Sequence, residues 1–449
     1  MRVRTGWAMG FVMLTVMAVG ASAQISLSSA VDLALRNDPQ VKMSEAAVQK
    51  AQAALSETRD VYVPNLTASG GFGQGFGVPT GLPTVFSLSS QSLVFNYSQR
   101  DNIRAAASGL AAAKLALNEM REQVEEDVVV TYLNLDSDER CAATMTQEYD
   151  DAARLVIIVQ DRLNAGHDTR MNLLRAQRTA KQIELDQLNL QDEIATLSDH
   201  LSRLMGLSDD RLTAITTSIP ELPSVQAAAE NGTQSYSAGI RSAVASARSK
   251  QQLSFGLNRY RLRPQMSLGI NYSRIDTGQN GYATYYPSFA GKSQNAVSVY
   301  LEMELPIYDR LHQHQADEAT AEARRAHFET EQQRNQFLEG RFKLRRSAAE
   351  LDKRSDLAQI DQDIAQEQVR VVTAQLSAAN GSSGGEQMTP VDEQNAKLTE
   401  SARTIDLLHA QFQLSQAKVN LLRQTGQLDD WLKAAVRISE GIPAQNASH

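Results

Sequence analysis

What most constrains this chain is the absence of helix breakers over very long spans. Between Pro83 and Pro220 there is no proline, and only Gly109, Gly166 and Gly206 interrupt. Proline removes a backbone donor and clashes with the preceding turn, so a span without it is free to remain helical. Two helices fit the interval, at about 98–163 and 169–205, turning at Asn164-Ala165-Gly166. Ile103, Leu110, Leu117 and Val124 recur every seven positions on the first, and Ile183, Leu190, Leu197 and Leu204 do so on the second. Such spacing marks a seam packed along neighbouring helices. At 1.5 Å per residue the first helix would run on the order of 100 Å, longer than an ordinary globular core requires.

The segments that break this pattern occur twice. Pro39 separates a short helix, Leu27–Asn37, from a longer one that reaches Tyr62, and Pro64 ends it. Leu66, Ala68, Gly70 and Phe72 then alternate with Asn65, Thr67, Ser69 and Gly71. Period-two alternation is the signature of a strand with two unlike faces. Pro264 follows Pro64 by two hundred positions and opens QMSLGINYS, where Met266, Leu268, Ile270 and Tyr272 alternate with Gln265, Ser267, Gly269, Asn271 and Ser273. Returning strands are expected near 84–95 and 296–305, behind turn-rich loops at 73–83 and 276–293. In the later one Val297, Val299, Leu301, Met303 and Leu305 face one way, and Ser298, Tyr300, Glu302 and Glu304 the other. A Pro-free stretch follows from 309 to about 377, then a Gly/Ser-rich turn at 380–385. A last helix to about 424 carries Leu398, Ile405, Phe412 and Val419 at intervals of seven.

The order helix, strand, strand, long helix, returning helix therefore appears twice, and a fixed order at long period outweighs any single motif. The expected fold is mainly α with a small antiparallel β part and an internal duplication. The first repeat covers 24–220, with strands near 65–73 and 84–95. The second covers 221–428, with strands near 265–273 and 296–305, and a C-terminal tail occupies 429–449.

Residues 1–23 read as a secretory signal peptide. Arg2 and Arg4 precede an apolar run from Trp7 to Val19, and Ala21-Ser22-Ala23 offers a small-residue cleavage site. Beyond it no window approaches 18 consecutive apolar residues, so no transmembrane helix is expected. Cys141 is the sole cysteine; it sits too far into the chain to carry an N-terminal lipid anchor and is expected to be a buried, silent thiol. A net charge of -8 gives no reason to expect nucleic acid, which selects basic surfaces. There is no phosphate loop, nucleophile elbow, metal-ligand cluster or acid/base pair, so neither an enzyme nor a cofactor is expected. His312 and His314, two apart on a helix, point to different faces and make no metal pair.

Four strands with one greasy and one wet face could form a sheet packed on helices. The faces here have no matching helical cover at local spacing, and the loop Gly281-Tyr282-Ala283-Thr284-Tyr285-Tyr286-Pro287 suits a membrane interface, where aromatic girdles sit. In lipid, open sheet edges are forbidden, and barrels begin at about eight strands, so four strands cannot close alone. The chain would have to assemble around an axis, its heptad helices continuing the barrel as a tube. The competing reading is a periplasmic or surface coiled-coil scaffold whose short sheets cap helical hairpins.

The order of elements, the opening SLSSAVDLALRNDPQV, the step VYVPNLTASGG, the later MELPIYD, and the segments RLNAGHDTRMNLLRAQ and LSRLMG resemble the TolC family of outer membrane efflux proteins. The resemblance spans nearly the whole mature chain. It implies a homotrimer: a transmembrane β-barrel with four strands per protomer in the outer membrane, continued by an α-helical barrel crossing the periplasm. It further implies a passive exit duct working with a periplasmic adaptor and an inner-membrane transporter.

The resemblance also assigns candidate sites. Acidic residues after the second tip turn form a periplasmic gate in the family; the matching stretch MTPVDEQN makes Asp392 the candidate, with Asn395 where a second acid would stand. Its plainer role would be to serve the helix start, where acids are favoured. Adaptor docking falls on the tips, Leu163, Ala165 and Gly166, with Asn380 and Gly381 in the second repeat. From the alternation itself, Gln265, Ser267, Asn271, Ser298, Glu302 and Glu304 would line the pore, since a carboxylate facing lipid is costly.

Overall fold

The computed structural model describes residues 23–71, 84–207, 212–226, 237–260, 263–276, 287–289, 294–379 and 388–439. The leader, but for Ala23, lies outside these residues, as do most of both strand-connecting loops. The helices are α1 Leu27–Asn37, α2 Pro39–Asp60, α3 Tyr97–Asn164, α4 Arg170–Met205, α5 Ala238–Asn258, α6 Arg310–Ala379, α7 Pro390–Thr425 and α8 Leu428–Ser439. The strands are β1 Ala23–Ile25, β2 Thr67–Gly71, β3 Thr84–Phe95, β4 Leu212–Ala214, β5 Gln265–Asp276 and β6 Gln294–Glu304.

Local chemistry sets these boundaries. Asp38 ends α1 and caps α2, accepting from the backbone N–H groups of Gln40 at 2.7 Å and Val41 at 3.1 Å, with Pro39 in the first turn. Gly166, at φ 76°, takes the left-handed turn between α3 and α4. Gly206 and Gly426 end α4 and α7 in the same way, at φ 70° and 73°.

The duplication is visible in lengths. α3 and α6 have 68 and 70 residues, α4 and α7 have 36 each, and α2 and α5 have 22 and 21. Thr169 and Thr389, which precede α4 and α7, stand 220 apart, as do Gly206 and Gly426, which follow them.

The long elements form one layer, four wide. At one end lies an antiparallel sheet in the order β2-β3-β5-β6. Each strand continues into a helix: α2 leads to β2, β3 to α3, α5 to β5 and β6 to α6. Below the sheet α2 packs on α3, α3 on α5 and α5 on α6. Beyond the far ends of α2 and α5, α4 and α7 take their places, α4 and α7 flanking α3 while α7 packs on α6.

The main core sits at that waist. Leu27, Val128, Tyr132, Leu201, Leu421 and Leu428 are fully or almost fully buried there. Tyr132 Oη donates to the Ile25 carbonyl at 2.8 Å and accepts from the Ile215 N–H at 2.7 Å, tying the small parallel pair β1-β4 to α3. Where the sequence reading placed only a tail from 429, the chain forms α8, whose Leu428, Trp431 and Leu432 are buried in this core. Trp431 Nε1 donates to the Glu221 carbonyl at 3.3 Å. The helix was hidden because it is a single short amphipathic element, held by tertiary packing.

Candidate functional site

Across β5 and β6 the sheet has two chemically opposite faces, while β3 places Ser90 and Ser92 on the apolar side and Leu93 on the polar side. Directly paired residues share a face, and the register pairs Gln265 with Glu304, Ser267 with Glu302 and Asn271 with Ser298. All six strand residues singled out from alternation therefore lie on one side. The same side carries Ser89 and Thr67 in the row of Asn271, and Ser87 and Ser69 in the row of Ser273. Tyr300 pairs with Gly269 on this face, its ring lying over the glycine where a Cβ would stand.

The opposite side holds Leu88, Tyr272 and Val297 in one row, then Ile270 with Val299, Leu268 with Leu301 and Met266 with Met303. Val297, Val299, Leu301 and Met303 are 59–70 % exposed. Among the described residues no helix packs across either face. From Val297 to Met303 this greasy stripe runs roughly 20 Å along the strand. Among the described residues its two edges, β2 and β6, have no partner strand.

A signal the sequence reading missed lies at the strand–helix junctions. Tyr62 follows α2, Tyr97 opens α3, Tyr260 follows α5 and Tyr308 precedes α6, so all four junctions carry a tyrosine. Tyr97 packs edge-on to Phe95, with ring centroids 4.7 Å apart, and Arg263 stacks over it at 4.8 Å. Tyrosines at one level suit a membrane–water boundary, one end apolar and the other wet. Aligning the four junctions would have exposed the pattern. Tyr260 also stacks on His312 at 3.8 Å; among the described residues no His, Cys, Asp and Glu group is arranged to hold a metal.

At the far end of the layer, Ala165 and Gly166 are exposed in the α3–α4 turn. Leu163 is half-buried against Leu155, Val159, Leu173 and Ala176. Asn380 and Gly381 lie outside the described residues. Asp392 is exposed in the first turn of α7, its carboxylate accepting from the Thr389 backbone N–H at 2.8 Å and hydroxyl at 2.7 Å. Asn395 is exposed one turn on. Asp392 thus caps its helix, and its first-repeat counterpart position holds Asn172, bonded to Asp168 at 2.8 Å. Cys141 is fully buried, and burial pushes its thiol up to about 11.

Comparison with known proteins matches this geometry. A sequence profile of the outer membrane efflux protein family matches residues 30–207. No curated protein matches the chain. Among solved structures, the Campylobacter jejuni CmeC outer membrane channel aligns with TM-score 0.73 at 16 % identity, covering 93 % of this chain and 90 % of its own. The Vibrio cholerae outer membrane protein VceC gives 0.69 at 17 %, covering 89 % of this chain and 96 % of its own. The open state of the Neisseria gonorrhoeae MtrE outer membrane channel gives 0.69 at 15 %, with 90 % and 89 % covered. The fold is that of outer-membrane channel proteins. The resemblance to the TolC family of outer membrane efflux proteins holds by sequence over the first repeat and by fold over about nine-tenths of the chain.

Proposed function

We propose that the chain assembles as a homotrimer into an outer-membrane efflux channel, a passive exit duct with a β-barrel in lipid and a helical tunnel in the periplasm. The observation that carries this reading is that, among the described residues, the layer is open at both edges. At the sheet, β2 and β6 leave backbone groups unpaired, and in hydrocarbon each such group costs several kcal/mol. Along the helices, α4 exposes Met171, Leu174, Leu185 and Leu188, and α6 exposes Leu357, Ile360, Ile364 and Val371, each 44–59 % accessible. The spacings, three, eleven and three in α4 and three, four and seven in α6, keep each run on one side of its helix, so each is a second seam on a helix already using its first.

Two complementary edges on opposite sides of one layer make a head-to-tail interface, which closes into a ring when the rotation fits. Three copies bring the strands to twelve, enough for a barrel, where one copy's four are too few. The polar face then lines water, the apolar face meets lipid, and the four junction tyrosines stand at the periplasmic boundary. The tips at Leu163, Ala165 and Gly166, with Asn380 and Gly381, are the place for a periplasmic adaptor fed by an inner-membrane transporter. Three copies of Asp392 near the axis form the gate, with Asn395 beside them.

Membrane fractionation with heat-modifiable migration on gels tests this. The mature protein is expected in the outer membrane, running as a trimer until heated; recovery in the soluble periplasm as a monomer would favour the coiled-coil scaffold and sink the duct.

A further inference from the structure

We propose that the α4–α6 seam carries a charge code by which one copy selects the next in a fixed register: Asp199 and Asp192 of α4 face Arg346 and Lys353 of the neighbouring α6, and Lys181 faces its Glu367. This deepens the ring reading above and rests on it.

Heights along the layer set the register. α5 lies between α3 and α6: Ser249 Oγ donates to the Ala105 carbonyl at 2.7 Å, and Lys250 Nζ to Glu322 at 2.6 Å. Residues of α6 therefore stand level with α3 residues roughly 216 lower in number. α4 is tied to α3 at two heights, by Gln187 Nε2 donating to Thr146 at 3.3 Å and by His200 beside Asp127 at 3.4 Å. Carried across, the two ties differ by six residues, and their mean sets Gln187 level with about residue 359 of α6 and His200 with about residue 346.

A ring closed by rotation has no rise, so an α4 residue meets the neighbour's α6 at the height it already has within its own chain. At those heights Leu185 and Leu188 fall among Leu357, Ile360 and Ile364, apolar on apolar. The charged positions of the same seam fall within about a turn of opposite charges. Lys181, Asp192 and Asp199 occupy the stripe of Leu185 and Leu188 at steps of three, four and seven. Lys353 and Glu367 extend the stripe of Leu357, Ile360 and Ile364, and Arg346, seven positions before Lys353, continues it with its guanidinium over the exposed Phe342 ring at 4.6 Å.

Several of these side chains hold partners on their own helix: Lys181 with Glu184 at 2.6 Å, Asp199 with Arg203 at 2.6 Å and Lys353 with Asp356 at 2.7 Å. Exposed same-helix pairs are weak, so exchanging them for a partner across a drier seam costs little, whereas a slipped register sets like charges together.

Two reversals test the code. Asp192→Lys with Asp199→Lys, and separately Arg346→Glu with Lys353→Glu, are each expected to lower the heat-modifiable trimer at fixed concentration at least about tenfold; the four changes together restore it to within about twofold of wild type. A wild-type trimer with both double variants undiminished overturns the code and leaves the ring; a monomeric wild type overturns the ring itself. Should a reversal fail to fold, cysteine pairs decide: with Cys141 replaced by Ser, oxidation is expected to link Asp192→Cys with Lys353→Cys between chains, but not Asp192→Cys with Glu367→Cys. Equal linkage of both pairs, or of neither, overturns the register.

Discussion

Val299→Arg separates a lipid-facing sheet from a solvent-facing one. Val299 is 65 % exposed, lies near the middle of β6, and sits between Val297 and Leu301 on the apolar face, opposite Ile270. On a soluble protein a surface substitution of this kind stays within about 0.5 kcal/mol. On the outer face of a barrel near the bilayer midplane an arginine costs about 2–4 kcal/mol per chain, hence roughly 6–12 kcal/mol for three. The adjacent Ser298 faces the other way, so Ser298→Arg is the matched control on the same strand. Denaturant unfolding of protein refolded into lipid bilayers gives both values. The account expects Val299→Arg to be less stable than Ser298→Arg by about 2 kcal/mol or more per chain. Equal stability of the two, or the reverse order, would refute the assignment of the faces.

Three further outcomes follow from named contacts. Asp392→Asn keeps an acceptor for the Thr389 N–H and removes three charges from the trimer, so it should weaken block by multivalent cations in planar bilayers while leaving helix stability in place; unchanged block would remove Asp392 from the gate. Trp431→Ala deletes a buried indole that anchors α8 to the waist, and should cost about 3–5 kcal/mol in chemical unfolding, where a dispensable tail would show almost nothing. Glu125 is pushed up to about 7 by burial and by nearby Asp429 and Glu122. The folded state holds this proton more tightly than the unfolded one, so the contribution is intact at low pH and is lost as pH rises through about 7. Glu125→Gln should therefore raise the thermal midpoint relative to wild type more at pH 8 than at pH 5; an equal effect at both would refute this cause.

Much of the architecture was legible because it depends on period and punctuation. Uninterrupted spans and seven-residue spacing placed α3, α4, α6 and α7 to within a few residues, since proline and left-handed glycines at Gly166, Gly206 and Gly426 set their ends. Strict alternation placed β5 and β6 and sorted their side chains correctly onto two faces. α5 was harder: its apolar residues do not keep one stripe, because it packs on both α3 and α6. α8 and the parallel pair β1-β4 were invisible, being short elements held by residues distant in sequence, Tyr132 for the pair and Glu221 for α8. Asp392 shows the limit for sites: the acid at the tip was readable, but its bond to Thr389 makes it a cap in one chain, and any gate it forms belongs to three chains. The second seams on α4 and α6 were likewise masked, because a monomer's sequence does not say which apolar stripe is covered at home.

The most direct test of the central claim is native mass measurement of envelope-extracted protein, with each mass fraction then reconstituted in planar bilayers. The account predicts a particle of three chains and stepwise conductance confined to that fraction. A stable, folded single chain, or a three-chain particle that never conducts, would contradict it.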